Sequence, residues 1–271
     1  MARRTRLDAE LVRRGLARSR EHASQLVAAG RVTVRGTVAT KPATAVESDA
    51  PVVVRADIED PGWASRGAHK LLGALAAFEP MGLTVAGRNC LDAGASTGGF
   101  TDVLLRRGAT RVVAADVGRG LLDWRLRTDR RVVVLDRTNV RSLTPEAVGG
   151  PVDLVVADLS FISLALVLPA LLECTVPDGD LVPMVKPQFE VGRARLGSGG
   201  VVRDPELRAD AVLGVLAAAG RLGLRAHGVV ASPLPGPAGN VEYFAWLRRG
   251  EPLPREEAAV LVHAAVREGP Q

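Results

Sequence analysis

Aromatic residues and cysteine are scarce in this chain, long apolar runs are missing, and each shortage closes off a class of protein. Phe, Trp and Tyr together make up 3% of 271 residues. The core therefore has to be aliphatic, and stacking platforms for single-stranded nucleic acid are few. The two cysteines, Cys90 and Cys174, have neither a metal-ligand spacing nor the pattern of a disulfide framework. They read as small buried hydrophobes in a reducing cytoplasm, and no metal site is expected. The most apolar window, 161–172, is too short to span a bilayer and contains Ser163 and Pro169. Residues 1–20 are basic and lack the apolar stretch of a secretory signal. No membrane contact is expected.

Hydrophobic residues make up 47% of the chain and charged residues 24%, enough for a sizeable core in one large or two smaller domains. The net charge of +5 is unevenly placed. Residues 1–41 hold ten Lys or Arg against Asp8, Glu10 and Glu21, for +7, which leaves −2 on residues 42–271. A compact basic block of this kind is an electrostatic footprint for a polyanion; the alternative is a solvated basic face.

The basic block has its own organisation. Leu7, Leu11, Val12 and Leu16 share a helical face that Gly15 interrupts, and Ser19 caps a second helix that Gly30 ends. Val32 to Val34, Val38 and 51–55 predict short strands. Two small helices and a small sheet would gather Arg3, Arg4, Arg6, Arg13, Arg14, Arg18 and Arg20 near one surface. Through Arg6-Leu7-Asp8, Ala17-Arg18-Ser19-Arg20, the 23–30 helix, Val32-x-Val34-x-Gly36 and Asp49, this α+β segment resembles an S4-type RNA-binding domain, here assigned to 1–58. The resemblance implies that the arginines read folded RNA through phosphates and shape. Asp60-Pro61-Gly62-Trp63 is a breaker cluster, and 59–65 reads as an interdomain linker.

From Arg66 the pattern changes. Leu71, Leu72, Leu75 and Phe78 predict a helix over 66–78. Val- and Leu-rich strands near 89–93, 111–116, 131–135, 152–158, 180–185, 225–231 and 241–247 then alternate with helices near 98–107, 118–127, 163–173, 205–220 and 254–267. This is the pattern of an α/β fold around a parallel sheet, which binds ligands beyond the carboxyl ends of its strands.

The most informative of those ends is 91–100, Leu-Asp-Ala-Gly-Ala-Ser-Thr-Gly-Gly-Phe. Gly94, Gly98 and Gly99 permit a tight turn and a close backbone approach to a ligand. Asp92, ahead of them, would direct a carboxylate at it, which repels a pyrophosphate and favours a cation. Ala95, Ser96 and Thr97 also break the dinucleotide spacing. S-adenosylmethionine, with an ammonium and a sulfonium, suits such a place. Its expected contacts are 92, 94–100, Asp116 and Val117 after the second strand for the ribose, Asp136 and Arg137 after the third for the adenine, and Asp158. In that set Phe100 closes the glycine stretch.

The stretches 65–71, 91–100, 115–118, 157–163, 185–190, 200–205 and 239–242 resemble the TlyA family of hemolysin-named ribosomal RNA 2′-O-methyltransferases, over nearly the whole chain. The resemblance implies a Rossmann-like, seven-stranded methyltransferase domain of the FtsJ type over 66–271. It implies S-adenosylmethionine as cofactor, cytidine ribose hydroxyls of 16S and 23S rRNA in ribosomal subunits as substrate, and a tetrad of Lys70, Asp158, Lys186 and Glu242. Gly67-Ala68-His69 stands where the family commonly has two glycines, and Pro61-Gly62 precedes Trp63. Both departures bear on the interdomain geometry.

The chemistry agrees with that implication. A ribose 2′-hydroxyl is a poor nucleophile and needs a base as it attacks the methyl carbon. A free lysine, with a pKa of about 10.4, becomes a better base through burial and a cationic neighbour. Lys186 is read as the group that takes the 2′-OH proton or steers the oxygen, with Lys70 as its cationic neighbour. Asp158 would orient Lys186 and the methyl donor, while Lys70 and Glu242 fix the ribose. Two other readings stand beside this one, a membrane-active hemolysin and a cofactor-binding ribosome-assembly module without catalysis. A cytoplasmic monomer or weak dimer is expected.

Overall fold

The computed structural model describes residues 4–17, 20–55, 62–192 and 195–270. Arg3, Arg18, the expected capping residue Ser19 and positions 59–61 lie outside the described residues. The chain divides into two compact units, Met1–Gly62 and Trp63–Gln271.

In the first unit, strand β1 (Arg4–Arg6) leads into helices α1 (Leu7–Arg13) and α2 (Arg20–Ala28). Strands β2 (Val32–Val34), β3 (Thr37–Val38), β4 (Ala45–Glu47) and β5 (Val52–Val54) follow. β1 pairs antiparallel with β4, and β2 lies between β3 and β5, antiparallel to both. β1 and β4 are only three residues each, too short to show alternation in the sequence. Leu7, Leu11, Ala23, Leu26, Val27 and Val32 form the core. Leu16, expected on the apolar face of α1, is exposed instead. The helix ends at Arg13, and Gly15 turns the chain away at φ +71°, a left-handed value that glycine adopts without strain.

Two buried acids organise the arginines of this unit. Asp8 accepts hydrogen bonds from Arg6 and Arg20, and Glu10 accepts them from Arg13, Arg14 and the Thr5 hydroxyl. Arg6 holds the Asp8 carboxyl far below the usual carboxylate range, and Arg13 holds that of Glu10 down at about 2. Arg4 pairs with Glu47 at 3.3 Å. Arg14 also donates to the carbonyls of Ala50 and Ser48, so it braces α1 against the turn before β5.

The second unit runs α3 (Ala68–Phe78), β6 (Asn89–Ala93), α4 (Gly99–Arg106), β7 (Arg111–Ala115), α5 (Trp124–Arg127), β8 (Val132–Leu135) and β9 (Val152–Ala157). It continues with α6 (Leu168–Glu173), β10 (Thr175–Val185), α7 (Pro187–Glu190), α8 (Pro205–Arg221), β11 (Leu224–Ala231), β12 (Tyr243–Arg249) and α9 (Arg255–Glu268). The seven strands form one sheet in the order β11-β12-β10-β9-β6-β7-β8, in which β12 runs antiparallel to both neighbours. Pleating divides the strand residues between two faces. Cys90, Val112, Leu154, Val182 and Phe244 meet Leu71, Leu75 and Phe78 of α3 and Leu104 of α4. Leu91, Val113, Val155, Leu181 and Ala245 meet α6, α8 and α9 through residues such as Leu171, Val212 and Val262. The few aromatic rings concentrate on the first face, where Phe78 stacks near Trp246 and Phe100 near Phe244.

Three elements depart from the pattern reading. The helix expected over 118–127 is one turn, α5, capped by Asp123, because Gly118 and Gly120 hold the preceding segment as a loop. The helix expected over 163–173 splits into a 3-10 turn, Leu164–Leu166, and α6, with Pro169 at the start of the latter. β10 begins at Thr175, five residues early, with a register shift before Asp180; Pro177 and Gly179 disguise that part of the strand.

The topology places a crevice. The chain builds β6, β7 and β8 outward, then returns to lay β9 on the other flank of β6. At such a reversal the loops after the two adjacent strands part, which is where open α/β sheets take their ligands.

Candidate active site

Gly94 follows β6 directly at the reversal, at φ +86°, and a Cβ there would lie 2.5 Å from the Asp158 carbonyl oxygen. Glycine is required at this position because the ends of β6 and β9 approach so closely. Gly98 and Gly99 are needed for similar reasons: side chains there would collide with Leu126 and Ser65. The expected tight turn is present, and neighbouring protein lies where side chains at all three glycines would go. The loop still offers its backbone. Ser96, held at φ +48°, donates its N–H to Asp116 Oδ2 at 2.9 Å, and Gly118 donates to Asp116 Oδ1 at 2.7 Å. The Asp116 carboxylate thus bridges the loops after β6 and β7, with one lone pair left on each oxygen. Asp136 similarly accepts from Gly120 N and from Arg127, while Arg137 N bonds Gly118 O at 2.8 Å. Val117 is exposed beside them, and Ala95 is buried while Ser96 and Thr97 are exposed.

Two of the expected cofactor contacts, Phe100 and Asp92, are buried residues. Phe100 is buried in the core against Phe244, with ring centroids 5.9 Å apart. Asp92 is sealed beneath the loop with no exposed surface. Its Oδ2 accepts from the Thr101 hydroxyl at 2.7 Å, and its Oδ1 has no partner among the described residues. Thr101, one turn into α4, draws the carboxyl inward, and nothing in a single sequence signals that pull.

The four tetrad positions form two ion pairs from distant parts of the chain. Lys70 on α3 meets Glu242, just ahead of β12, with Nζ 2.5 Å from Oε2, and both are buried. Lys186 at the end of β10 lies 2.6 Å from Asp158 Oδ1 and donates to Ser160 Oγ at 3.1 Å. The Lys186–Asp158 contact is an ion pair whose angle falls outside hydrogen bonding, so Asp158 Oδ1, like Glu242 Oε1, has no hydrogen-bond donor among the described residues. Each lysine has a carboxylate partner of its own, and the antiparallel pairing of Val185 with Tyr243 brings the ends of β10 and β12 that carry Lys186 and Glu242 together.

The sequence model of the FtsJ-like methyltransferase family matches residues 63–249, and that of the S4 domain matches 5–52. The Mycobacterium tuberculosis 16S/23S rRNA (cytidine-2′-O)-methyltransferase TlyA is 63% identical to this chain over the full length of both. The chain belongs to the TlyA family of FtsJ-like methyltransferases. Hemolysin A of Brachyspira hyodysenteriae, another relative, is 34% identical over 89% of this chain and 98% of its own. A solved structure of a hemolysin-named chain from Streptococcus thermophilus superposes with a TM-score of 0.75 at 36% identity, covering 99% of this chain and 98% of that one. Among the described residues, no helix is long and apolar enough to cross a membrane, and no group of three or more His, Cys, Asp or Glu is arranged to hold a metal ion.

Two residues outside the expected set adjoin the tetrad positions. Ser160 supplies the second partner of Lys186. Gly236 lies under Glu242: a Cβ there would fall 2.5 Å from Oε1. Gly236→Ala should therefore displace the Glu242 carboxylate and lower kcat about tenfold, with a small change in thermal midpoint. Equal kcat for wild type and variant would place Glu242 outside the reaction.

The site also carries a proton-linked stability effect. Burial pushes the Asp92 carboxyl up to about 7, reinforced by the charges of Asp158 and Asp116 and opposed by the Thr101 hydroxyl. The folded state thus favours protonated Asp92. Its contribution is full below about pH 4, where the unfolded chain is protonated too, and is lost as pH rises to 7. Asp92→Asn, which mimics the protonated form, should gain on wild type across that window by up to about 1.4 kcal/mol per pH unit. Denaturant unfolding at pH 5 and pH 7.5 tests this; a difference that does not change with pH refutes it.

Proposed function

We propose that this chain transfers a methyl group from S-adenosylmethionine to the 2′-oxygen of a cytidine ribose in 16S or 23S ribosomal RNA, within assembled subunits. The observation that carries this reading is the two ion pairs, the buried Lys70–Glu242 and the partly buried Lys186–Asp158, of which Asp158, Lys186 and Glu242 lie at strand ends. The residues present suit a cationic methyl donor: the charges of Asp158 and Asp116 both bear on Asp92 beneath the loop, and Glu242 Oε1 has no hydrogen-bond donor among the described residues. S-adenosylmethionine supplies a methyl carbon already activated by a sulfonium.

Asp116 would take the ribose hydroxyls of the donor through its free lone pairs, with Val117, Asp136 and Arg137 along the adenine edge and the 94–98 backbone along the rest. As the neutral amine, Lys186 takes the proton of the attacking 2′-oxygen and becomes the ammonium that pairs with Asp158; as the ammonium it steers the oxygen instead, and Asp158 and Ser160 fix the lysine in either form. Lys70 and Glu242 position the target ribose. Arg4, Arg6, Arg13 and Arg20, oriented by Asp8, Glu10 and Glu47, would face RNA phosphates. Arg3 and Arg18 extend the same sequence cluster, and Arg14 supports it from within the unit.

The test is methylation of purified 30S and 50S subunits with labelled donor, followed by mapping of the modified nucleotide. Label on a cytidine 2′-oxygen is expected, with subunit binding that weakens steeply as salt rises. Donor binding without label transfer would favour a ribosome-assembly module, and dose-dependent leakage of lipid vesicles would favour a hemolysin. The protein is expected to work in the cytoplasm, as a monomer or weak dimer.

A further inference from the structure

The segment after β9 and the segment after β10 are laced together along their length. At one end Lys186 contacts Asp158 and Ser160. In the middle, the rings of Phe161 and Phe189 lie 5.2 Å apart. At the far end Glu190, the last residue of α7, accepts from the Ser163 hydroxyl at 2.6 Å and from the Leu164 N–H at 2.8 Å.

Glu190 has no part in the tetrad, yet both of its oxygens are engaged and burial raises its carboxyl above the ordinary value. A partly buried carboxylate is costly to keep unless it is hydrogen-bonded, as both oxygens of Glu190 are. The loop it grips is itself strained. Phe161 sits at φ +63° and is 91% exposed, and a bulky residue in the left-handed region persists only where its surroundings hold it. The exposed ring lies against Phe189; Leu159, Ile162 and Leu164 pack the loop onto the core, and the hydrogen bonds to Glu190 tie its far end to α7.

We propose that Glu190 is a positioning residue for methyl transfer: by gripping Ser163 and the Leu164 amide it sets where Asp158 and Ser160 stand against Lys186. Without the grip, the strained turn at Phe161 relaxes and carries Ser160 away from the lysine Nζ. α7 starts immediately after Lys186, so the carboxylate and the lysine ride on one short rigid piece and the loop is registered against both. The inference rests on the reading of Lys186 given above.

The experiment compares Glu190→Ala, Glu190→Gln, Ser163→Ala and Lys186→Ala in methylation of ribosomal subunits, with thermal midpoints alongside. Glu190→Ala should lower kcat about tenfold or more and leave KM for S-adenosylmethionine within about twofold, as expected when alignment alone is lost. Glu190→Gln should stay within about threefold of wild type, because its amide oxygen still accepts from Leu164 and its amide still meets the Ser163 hydroxyl. Ser163→Ala, which removes one bond of two, should fall between them at an unchanged midpoint; it carries the test if Glu190→Ala does not fold. Wild-type kcat in Glu190→Ala or Ser163→Ala overturns the proposal, as does a parallel loss of donor affinity. Wild-type activity in Lys186→Ala instead overturns the reading of the lysine on which it rests.

Discussion

Lys186→Ala should reduce methyl transfer to ribosomal subunits by about 10²- to 10⁴-fold while S-adenosylmethionine binds as before, the loss expected when a positioned proton acceptor is removed. The lysine is buried at the end of β10, with its Nζ between Asp158 and Ser160 and outside the cradle built by Asp116 and the 94–98 loop. Removing it touches the acceptor side of the reaction and leaves the donor side standing. kcat and kcat/KM for the RNA should therefore fall together, the sign of an interaction made in the transition state. Asp158→Asn should be comparably damaging, because it leaves a buried ammonium without its counter-charge. Ser160→Ala should cost less, since it removes one neutral hydrogen bond of about 1 kcal/mol. Near-wild-type transfer in Lys186→Ala with donor binding intact would remove the lysine from the chemistry.

The Lys70–Glu242 pair predicts an effect on the fold as large as the effect on activity. Glu242→Ala strands the Lys70 ammonium in a buried site, and breaking a buried pair on one side costs about 3–5 kcal/mol. For a unit of this size that corresponds to roughly 10 °C in thermal midpoint. Lys70→Met combined with Glu242→Leu removes both charges and should recover most of that loss, because well-packed apolar pairs replace buried ion pairs without penalty. Methyl transfer should stay lost in the double variant. Recovery of stability without recovery of activity separates the two duties of the pair. A double variant no more stable than Glu242→Ala would show that the charge left behind is not the cause.

The parts of this arrangement that were legible in the sequence are those carried by short-range patterns. The 91–100 turn, the acid at 116 and the Val- and Leu-rich strands announce themselves within a dozen residues, and each lies where the sheet has a strand end. Pairings between distant positions were not legible. Lys70 and Glu242 are 172 residues apart, and only the placement of β12 against β10 and of α3 on the sheet face brings them into contact. The acid partner of Lys70 became visible only in the fold. Asp92 shows a second kind of limit. Its position before the glycines is that of a ligand-facing acid, and one hydroxyl, Thr101, turns it inward. The 118–127 helix failed for a third reason, because two glycines outweighed a helical run of leucines and arginines.

The order of strands in the sheet has a consequence for how the enzyme comes into being. β12 is the final strand in the chain, yet it is an interior strand, flanked by β10 and β11. A nascent chain that has emerged only as far as β11 has an open slot with two unpaired edges, and such edges invite pairing with other chains. Filling the slot completes the sheet and delivers Glu242 to Lys70 in the same event. The proposed site is therefore completed only by the closing strand, and a product terminated before it would lack the Lys70–Glu242 pair.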